Sequence, residues 1–459
     1  MQKSRVRQVG ALLVGLALVA ASCGDDKKDS TDSVAPTTVA DTTVDTTTPD
    51  TVAPPAAGSE LAGFKGTTPA LPISDDFKAR MDATPTGSAG LNDTYSYGPE
   101  TYDAIIVIAL AASEAGTDGS VMADHIVGIT KDGEKCTTFV DCLAIITAGG
   151  NPDYDGISGP ITMNGNGEPL EASYGIYTFG EGNHIDDSLT TYVGASAPAS
   201  AAKPLGVTDV TRDGDGVLAF GGLLPQTGSL AFLAPPEFAG AELAVQEIND
   251  AGGVLGNPVT FSPGDSGDTS TDIASQTADR LIAEGVDAII GAASSSVTLT
   301  VIDKITAAGI VQFSPANTSL KLVDYPDHSL YFRDAPPDDL QGNVIAQLVI
   351  DDGNSSAYIM ALDDAYGTSL AAVVEAALTA GGVEVLGTKI YDPAAASFDA
   401  EVDEVVAADP DAIILITFDE GSRILKTMVE KGIGPANKHV YGCDGNTGNA
   451  LGDNFNAGK

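Results

Sequence analysis

The 459-residue sequence predicts an α/β protein of two lobes, each a parallel sheet flanked by helices, with a hinge between them. Three observations carry this expectation. From Val217 onward, short apolar runs alternate with helical patterns, which is how parallel sheets with helical crossovers are written. A Pro336-Pro337 break divides those repeats into two series, one for each lobe. The apolar fraction, 43%, is enough to build real cores at this length and excludes a disordered chain.

Val217 to Leu224 reads as the first strand of the long series, and Pro235 and Pro236 then open a helix. Phe238, Ala241, Val245 and Ile248 recur along it at helical spacing until Gly252 and Gly253 stop it. The pair repeats as a strand at 258–262 with a helix at 272–283, then a strand at 286–290 with a helix at 297–308, then a strand at 310–313. After the proline break come a helix at 340–350, a strand at 357–361 and a helix at 368–380. Strands at 383–390 and 412–417 follow, each with its own helix. Residues 216–335 are therefore assigned to lobe one and 336–459 to lobe two.

Earlier in the chain the writing changes. Lys3, Arg5 and Arg7 precede an apolar run from Val9 to Ala21 that is too short to span a bilayer and ends in small residues. Residues 1–22 therefore read as an export signal. Cys23, directly after the cut, makes this resemble a lipoprotein signal with Cys23 acylated, although Ala20 stands where that pattern usually has a larger aliphatic residue. A plain secretory peptide with an incidental cysteine is the alternative. Residues 23–58, almost all Asp, Thr, Ser, Pro, Ala and Val, cannot bury enough apolar surface to offset chain entropy and read as a disordered tether. In 59–180, the apolar stretch Tyr102 to Ala115 reads as a buried helix and Val121 to Ile129 as a second one. Ile157 to Thr162 and Ser173 to Phe179 read as strands around the turn Asn164-Gly165-Asn166-Gly167. Residues 181–215, rich in Ser, Ala, Pro, Gly and Asp, read as a linker.

The net charge of -42 argues against a nucleic-acid partner, because binding a polyphosphate requires clustered Lys and Arg. It argues equally against docking on anionic lipid through a basic patch, which leaves a lipid anchor as the one membrane contact. No cofactor is expected. His125, His184, His328 and His439 have no second ligand at metal-binding spacing, so no metal site is assigned. Asp209, Asp213 and Asp215 lack a calcium loop around them. Ser294, Ser295 and Ser296 lack both the G-x-S-x-G elbow and a partner histidine, so the chain is read as no enzyme. Cys136 and Cys142, six apart in an exported chain, are expected to close a disulfide, and Cys443 to be buried and free.

Ligands of open parallel sheets gather at the carboxyl ends of the strands. Those ends are the loops 291–296, 314–318, 363–367, 418–421 and 442–445, which are rich in hydroxyls, glycine and acid and contain no Lys or Arg. Around these loops the stretches VDAIIGAASSSVTLTVIDKITAAGIVQFSPANTS, AYIMALDDAYGTSLAAVVEAAL, PDAIILITFDEGSRILKTMVEKG and YGCDG resemble type I periplasmic binding proteins of ABC importers. The likeness is to the group binding leucine, isoleucine and valine, and with GGLLPQTGSLAFLAPPEFAGAELAVQEINDAGG it covers nearly all of 216–459. LAGFKGTTPALP, SYGPETYDAIIVIALAASEAG, KCTTFVDC and GISGPITMNGNGEPLEASYGIYTF, all within 59–180, are similar to that family's C-terminal third, mostly lobe one with a terminal hairpin reaching lobe two. The expectation is a circular permutation, with a fusion or faulty gene model as its competitor.

The resemblance implies a clamp for an amino acid. Ser295 would offer its hydroxyl and Ala316 its backbone to the α-carboxylate. Thr318 would contact either charged group, and Asp444 would balance the ammonium. Leu233, Ala293, Ser294, Tyr366, Phe418 and Tyr97 would line the side-chain pocket. It further implies closure of the lobes on the ligand, delivery to ABC permease subunits, a monomer, and attachment outside the cell membrane through lipid alone. A sensing module for amides, urea-like solutes or other amino acids is the alternative.

Overall fold

The computed structural model describes residues 58–91, 95–197 and 206–458. The expected leader, the lipidation site Cys23 and all but the last residue of the tether lie outside the described residues.

The first part of the chain supplies β1 (Lys65–Pro69), α1 (Asp75–Asp82), α2 (Gly98–Ala115), α3 (Ala123–Ile129), β2 (Glu134–Cys136), α4 (Phe139–Thr147), β3 (Pro152–Tyr154), β4 (Glu171–Thr178) and β5 (Thr191–Ser196). Next come β6 (Ala219–Leu223), α5 (Ala234–Asp250), β7 (Thr260–Ser262), α6 (Ile273–Glu284), β8 (Ala288–Gly291), α7 (Ser295–Ala307), β9 (Val311–Ser314) and β10 (Tyr331–Arg333). Beyond the proline break follow α8 (Asp338–Asp351), β11 (Ser356–Leu362), α9 (Ala365–Ala380), β12 (Glu384–Tyr391), α10 (Asp399–Ala408), β13 (Ala412–Ile416), α11 (Gly421–Glu430), β14 (His439–Gly442) and α12 (Asn449–Ala457).

These strands form two main sheets. One has the order β10-β9-β8-β6-β7, parallel throughout. The other runs β12-β11-β13-β14-β1-β4-β5, parallel up to β1 and antiparallel beyond it. Numbering the strands of each sheet along its own series gives the same doubly wound order in both, 2-1-3-4-5, with β10 fifth in one and β1 fifth in the other. In such a sheet the crevice opens between strands one and three.

Side-chain alternation explains how the helices sit on the five-stranded sheet. Ala288 and Ile290 of β8 pack in one core with residues of α2, α3, α4 and α5, while Ile289 packs in another with residues of α6 and α7. α2, apolar almost all round, is buried from Gly98 to Ala112 and lies against α5. Among the described residues no single helix is long and apolar enough to cross a membrane. β13, Ala-Ile-Ile-Leu-Ile, is fully buried between β11 and β14 of the larger sheet.

Two expectations need correction. Residues 157–162 do not form a strand; only isolated bridges, Asp155 with Pro160 and Met163 with Pro169, occur there. Pro160 has no N–H to give a ladder, and β4 pairs instead with β5. β5 itself lies inside the expected linker, where Thr191, Tyr192 and Val193 are good strand formers. The end of that segment is also docked: Arg212 pairs with Asp287 at 2.5 Å, and its N–H donates to Ser120 at 2.9 Å. The expected disulfide joins Cys136 to Cys142, and Cys443 is buried and free.

Candidate functional site

The two crevices face each other. The loops after β6 and β8 flank the switch point of the five-stranded sheet, and those after β11 and β13 flank that of the seven-stranded one. Between them lies a small cavity. From the first sheet come Leu230 and Leu233 after β6, Ala293, Ser294 and Ser295 after β8, and Ala316 after β9. From the second come Tyr366 after β11, Phe418 after β13, and Asp444 and Gly445 after β14. Tyr97, immediately before α2, closes the ring.

Nine of the ten residues expected to hold a ligand thus line one cavity; Thr318 does not. Its side chain is buried, and its carbonyl accepts the Asp338 N–H at 2.8 Å, so it supports the start of α8. Leu230 and Gly445 were not expected. Leu230 was legible only as the end of the Thr-Gly-Ser-Leu turn that follows β6.

Each polar wall residue has a local reason for its position. Ser294 caps α7, its Oγ accepting the Val297 N–H at 3.4 Å, and this aims the amino end of α7 at the cavity. A helix amino end favours an anion. Ser295 Oγ accepts the Ser319 N–H at 3.3 Å, and the Ala316 N–H points to Ser314 Oγ over an equally long 3.3 Å. On the opposite wall, Asp444 accepts the Tyr97 hydroxyl at 2.7 Å on one oxygen and the Tyr366 hydroxyl at 2.6 Å on the other. Burial raises the Asp444 carboxyl above its ordinary range, and the two hydroxyls pull it back. The Tyr366 ring stacks on Phe418 with centroids 5.4 Å apart. Tyr97 holds a left-handed backbone, φ 60°, which non-glycine residues adopt rarely and which concentrates at ligand sites.

Other bonds close the lobes over the cavity. Ser296 Oγ donates to Asp364 at 3.1 Å and accepts the Ala365 N–H at 2.8 Å, while Ser319 Oγ donates to the Ala365 carbonyl at 2.7 Å. At the crossover, Arg333 and Glu168 form an ion pair at 2.5 Å, both buried. Burial also lifts Asp338 to about 7 and Glu100 to about 8.

Two doubly wound lobes meeting over one polar-ended, apolar-walled cavity define a solute-binding protein. The chain belongs to the periplasmic binding protein family, whose model matches residues 218–454, and this makes it an extracytoplasmic ligand-binding protein of the type I fold. It is 25% identical over 261 residues to the Leu/Ile/Val-binding protein BraC3 of Rhizobium johnstonii, covering 56% of this chain and 67% of that one. A Leu/Ile/Val-binding protein homolog of Brucella melitensis is 32% identical over 34% of this chain and 44% of its own. The chemotactic signal transduction substrate-binding protein BasB of Halobacterium salinarum is 31% identical over 43% and 49%. The chain thus spans from under half to two thirds of the length of these relatives. Among solved structures, LivJ of Streptococcus pneumoniae in complex with isoleucine is 25% identical, covering 52% of this chain and 67% of that one with a TM-score of 0.47.

Proposed function

We propose that the chain is the substrate-binding component of an ABC importer and takes a branched-chain or related amino acid between its lobes. The observation that carries this reading is the chemistry of the closed cavity: a helix amino end with Ser295 on one wall, a single carboxylate, Asp444, on the other, and apolar side chains between. Ser295, the Ala316 backbone and the amino end of α7 would take the α-carboxylate, and Asp444 the ammonium. Leu233, Ala293, Ser294, Tyr366, Phe418 and Tyr97 would take the side chain. The Halobacterium relative, a chemotactic signal transduction substrate-binding protein, supports a second reading, in which the same module senses its solute for signalling rather than delivering it to a permease. A thermal-shift panel of amino acids, amides and urea-like solutes tests the ligand class, since whatever binds the folded state alone raises Tm. Silence from leucine, isoleucine and valine beside a shift from another solute overturns the branched-chain assignment.

The same proposal includes a permuted order. β1, near the start of the chain, fills the fifth place of the second sheet, the place that β10 fills from its own series in the first. Export, acylation of Cys23 and a monomeric state complete the reading; mass spectrometry of the membrane-bound protein tests the acylation.

A further inference from the structure

Tyr97 separates the ligand cavity from a second and larger one of ≈ 470 Å³, which it also lines. Three more tyrosines, Tyr95, Tyr177 and Tyr192, stand around this second space, with Leu71 and Ile157 among its apolar walls. Glu100, in the first turn of α2, lines it as well and is only 4% exposed. Among the described residues its carboxylate has no ion-pair partner and takes a hydrogen bond from no group but its own backbone N–H. The titratable groups that face it are Asp103 on its own helix, Glu237 on α5, Asp334 at the crossover, Tyr97 before α2 and Tyr177 on β4. All are acids or phenols. Among the described residues the one cation lining it is Lys78, over the Tyr95 ring at 5.5 Å, and Asp187 lines it as well.

A buried carboxylate with no donor is held neutral by a proton or charged by a cation brought from outside. Tyrosine faces attract cations, and Leu71 and Ile157 offer apolar contact to the body of a ligand. We propose that this second cavity binds a small organic cation, a primary or secondary ammonium on an apolar body, with its nitrogen at Glu100 and its body among the tyrosine rings. The site is independent of the amino-acid reading of the first cavity and stands whatever solute that cavity takes.

Isothermal titration of the full chain with phenethylamine tests it, with 2-phenylethanol as the uncharged body. Expected is saturable one-to-one binding of the amine, at least tenfold weaker for the alcohol. Glu100→Gln and Tyr177→Ala each weaken the amine at least tenfold, whereas Asp444→Asn leaves it unchanged. Because Glu100 keeps its proton up to about 8, amine binding at pH 7 expels that proton. The heat then differs between phosphate and Tris buffers, and the difference vanishes in Glu100→Gln. No saturable binding, or equal binding of the alcohol, overturns the proposal. Loss in Asp444→Asn with retention in Glu100→Gln also overturns it, by placing the amine in the first cavity. Should Glu100→Gln lack a cooperative melt, Tyr177→Ala and the wild-type buffer dependence decide alone.

Discussion

Glu168 lies in the first part of the chain and Arg333 at the end of the five-stranded sheet, so their buried pair tests the assembly of the fold. Removing one partner of a buried ion pair costs about 3–5 kcal/mol, because the other charge stays behind uncompensated. The surroundings rank the two variants. In Glu168→Gln, Arg333 retains the carbonyls of Asn317 at 3.2 Å and Ser319 at 3.0 Å, and the amide oxygen still accepts. The cost falls at the lower end, about 3 kcal/mol. Arg333→Met strands those carbonyls and removes the positive charge that lowers the Asp338 and Asp339 carboxyls, so its cost falls at the upper end, about 5 kcal/mol. Urea unfolding at pH 7, read as midpoint and slope, measures both. An arginine variant no more costly than the glutamate variant, or either cost below ~1 kcal/mol, refutes the reasoning. A second unfolding transition that only one variant moves refutes a single cooperative fold built from both parts of the chain.

Asp444→Asn removes the only carboxylate of the ligand cavity, and a lost charge-assisted hydrogen bond of about 1.5–3 kcal/mol predicts roughly 10–100-fold weaker binding of the amino acid that raises Tm. Calorimetry checks this, and an unchanged Kd removes the ammonium role. Glu100 titrates near 8 in the folded protein against an ordinary 4.5, so the folded state holds the extra proton between those values and stability falls as pH rises through them. Glu100→Gln therefore gains about 5 kcal/mol on the parent between pH 4 and pH 9, and parallel stability profiles would count against it. Opening Cys136–Cys142 with a phosphine reductant lowers unfolding stability by about 2 kcal/mol for so short a loop, measured in urea with and without reductant.

The legible parts of the fold were those whose burial is written locally. Strands such as Ala412–Ile416 are continuous apolar runs because helices cover both of their faces, and their ends mark the loops within which the resemblance picks out Ser295, Tyr366, Phe418 and Asp444. What escaped notice has weak local contrast. β5 is an edge strand whose alternation is only half-buried against exposed, so its Ser, Ala and Gly read as linker. β10 is three residues long and ends in Arg333, whose burial depends on Glu168, 165 residues away. The reverse error lies at Ile157 to Thr162, where Ile157, Ile161 and Thr162 beside an Asn-Gly turn look like a strand although the segment makes only isolated bridges. The resemblance alone places Thr318 at the ligand; in the structure it lies outside the cavity lining, and its carbonyl accepts the Asp338 N–H. Glu100 went unremarked because an acid at the start of an apolar helix reads as a solvated end, and only tertiary packing buries it.

The shared strand order of the two sheets makes the position of the ligand cavity independent of where the chain is cut. Each switch point is fixed by its own first and third strands, β6 with β8 and β11 with β13, and all four lie after residue 218. The cavity is nevertheless unfinished without the first part of the chain. Tyr97 reaches Asp444 across 347 positions of sequence, and β1 flanks the strand that carries Asp444. On the proposed reading, a chain ordered in this way couples binding to assembly: Asp444, the carboxylate proposed for the ammonium, receives the Tyr97 hydroxyl only once the first segment has docked. Ligand-induced stabilisation should therefore disappear when that docking is broken, even if the second half alone retains its sheets.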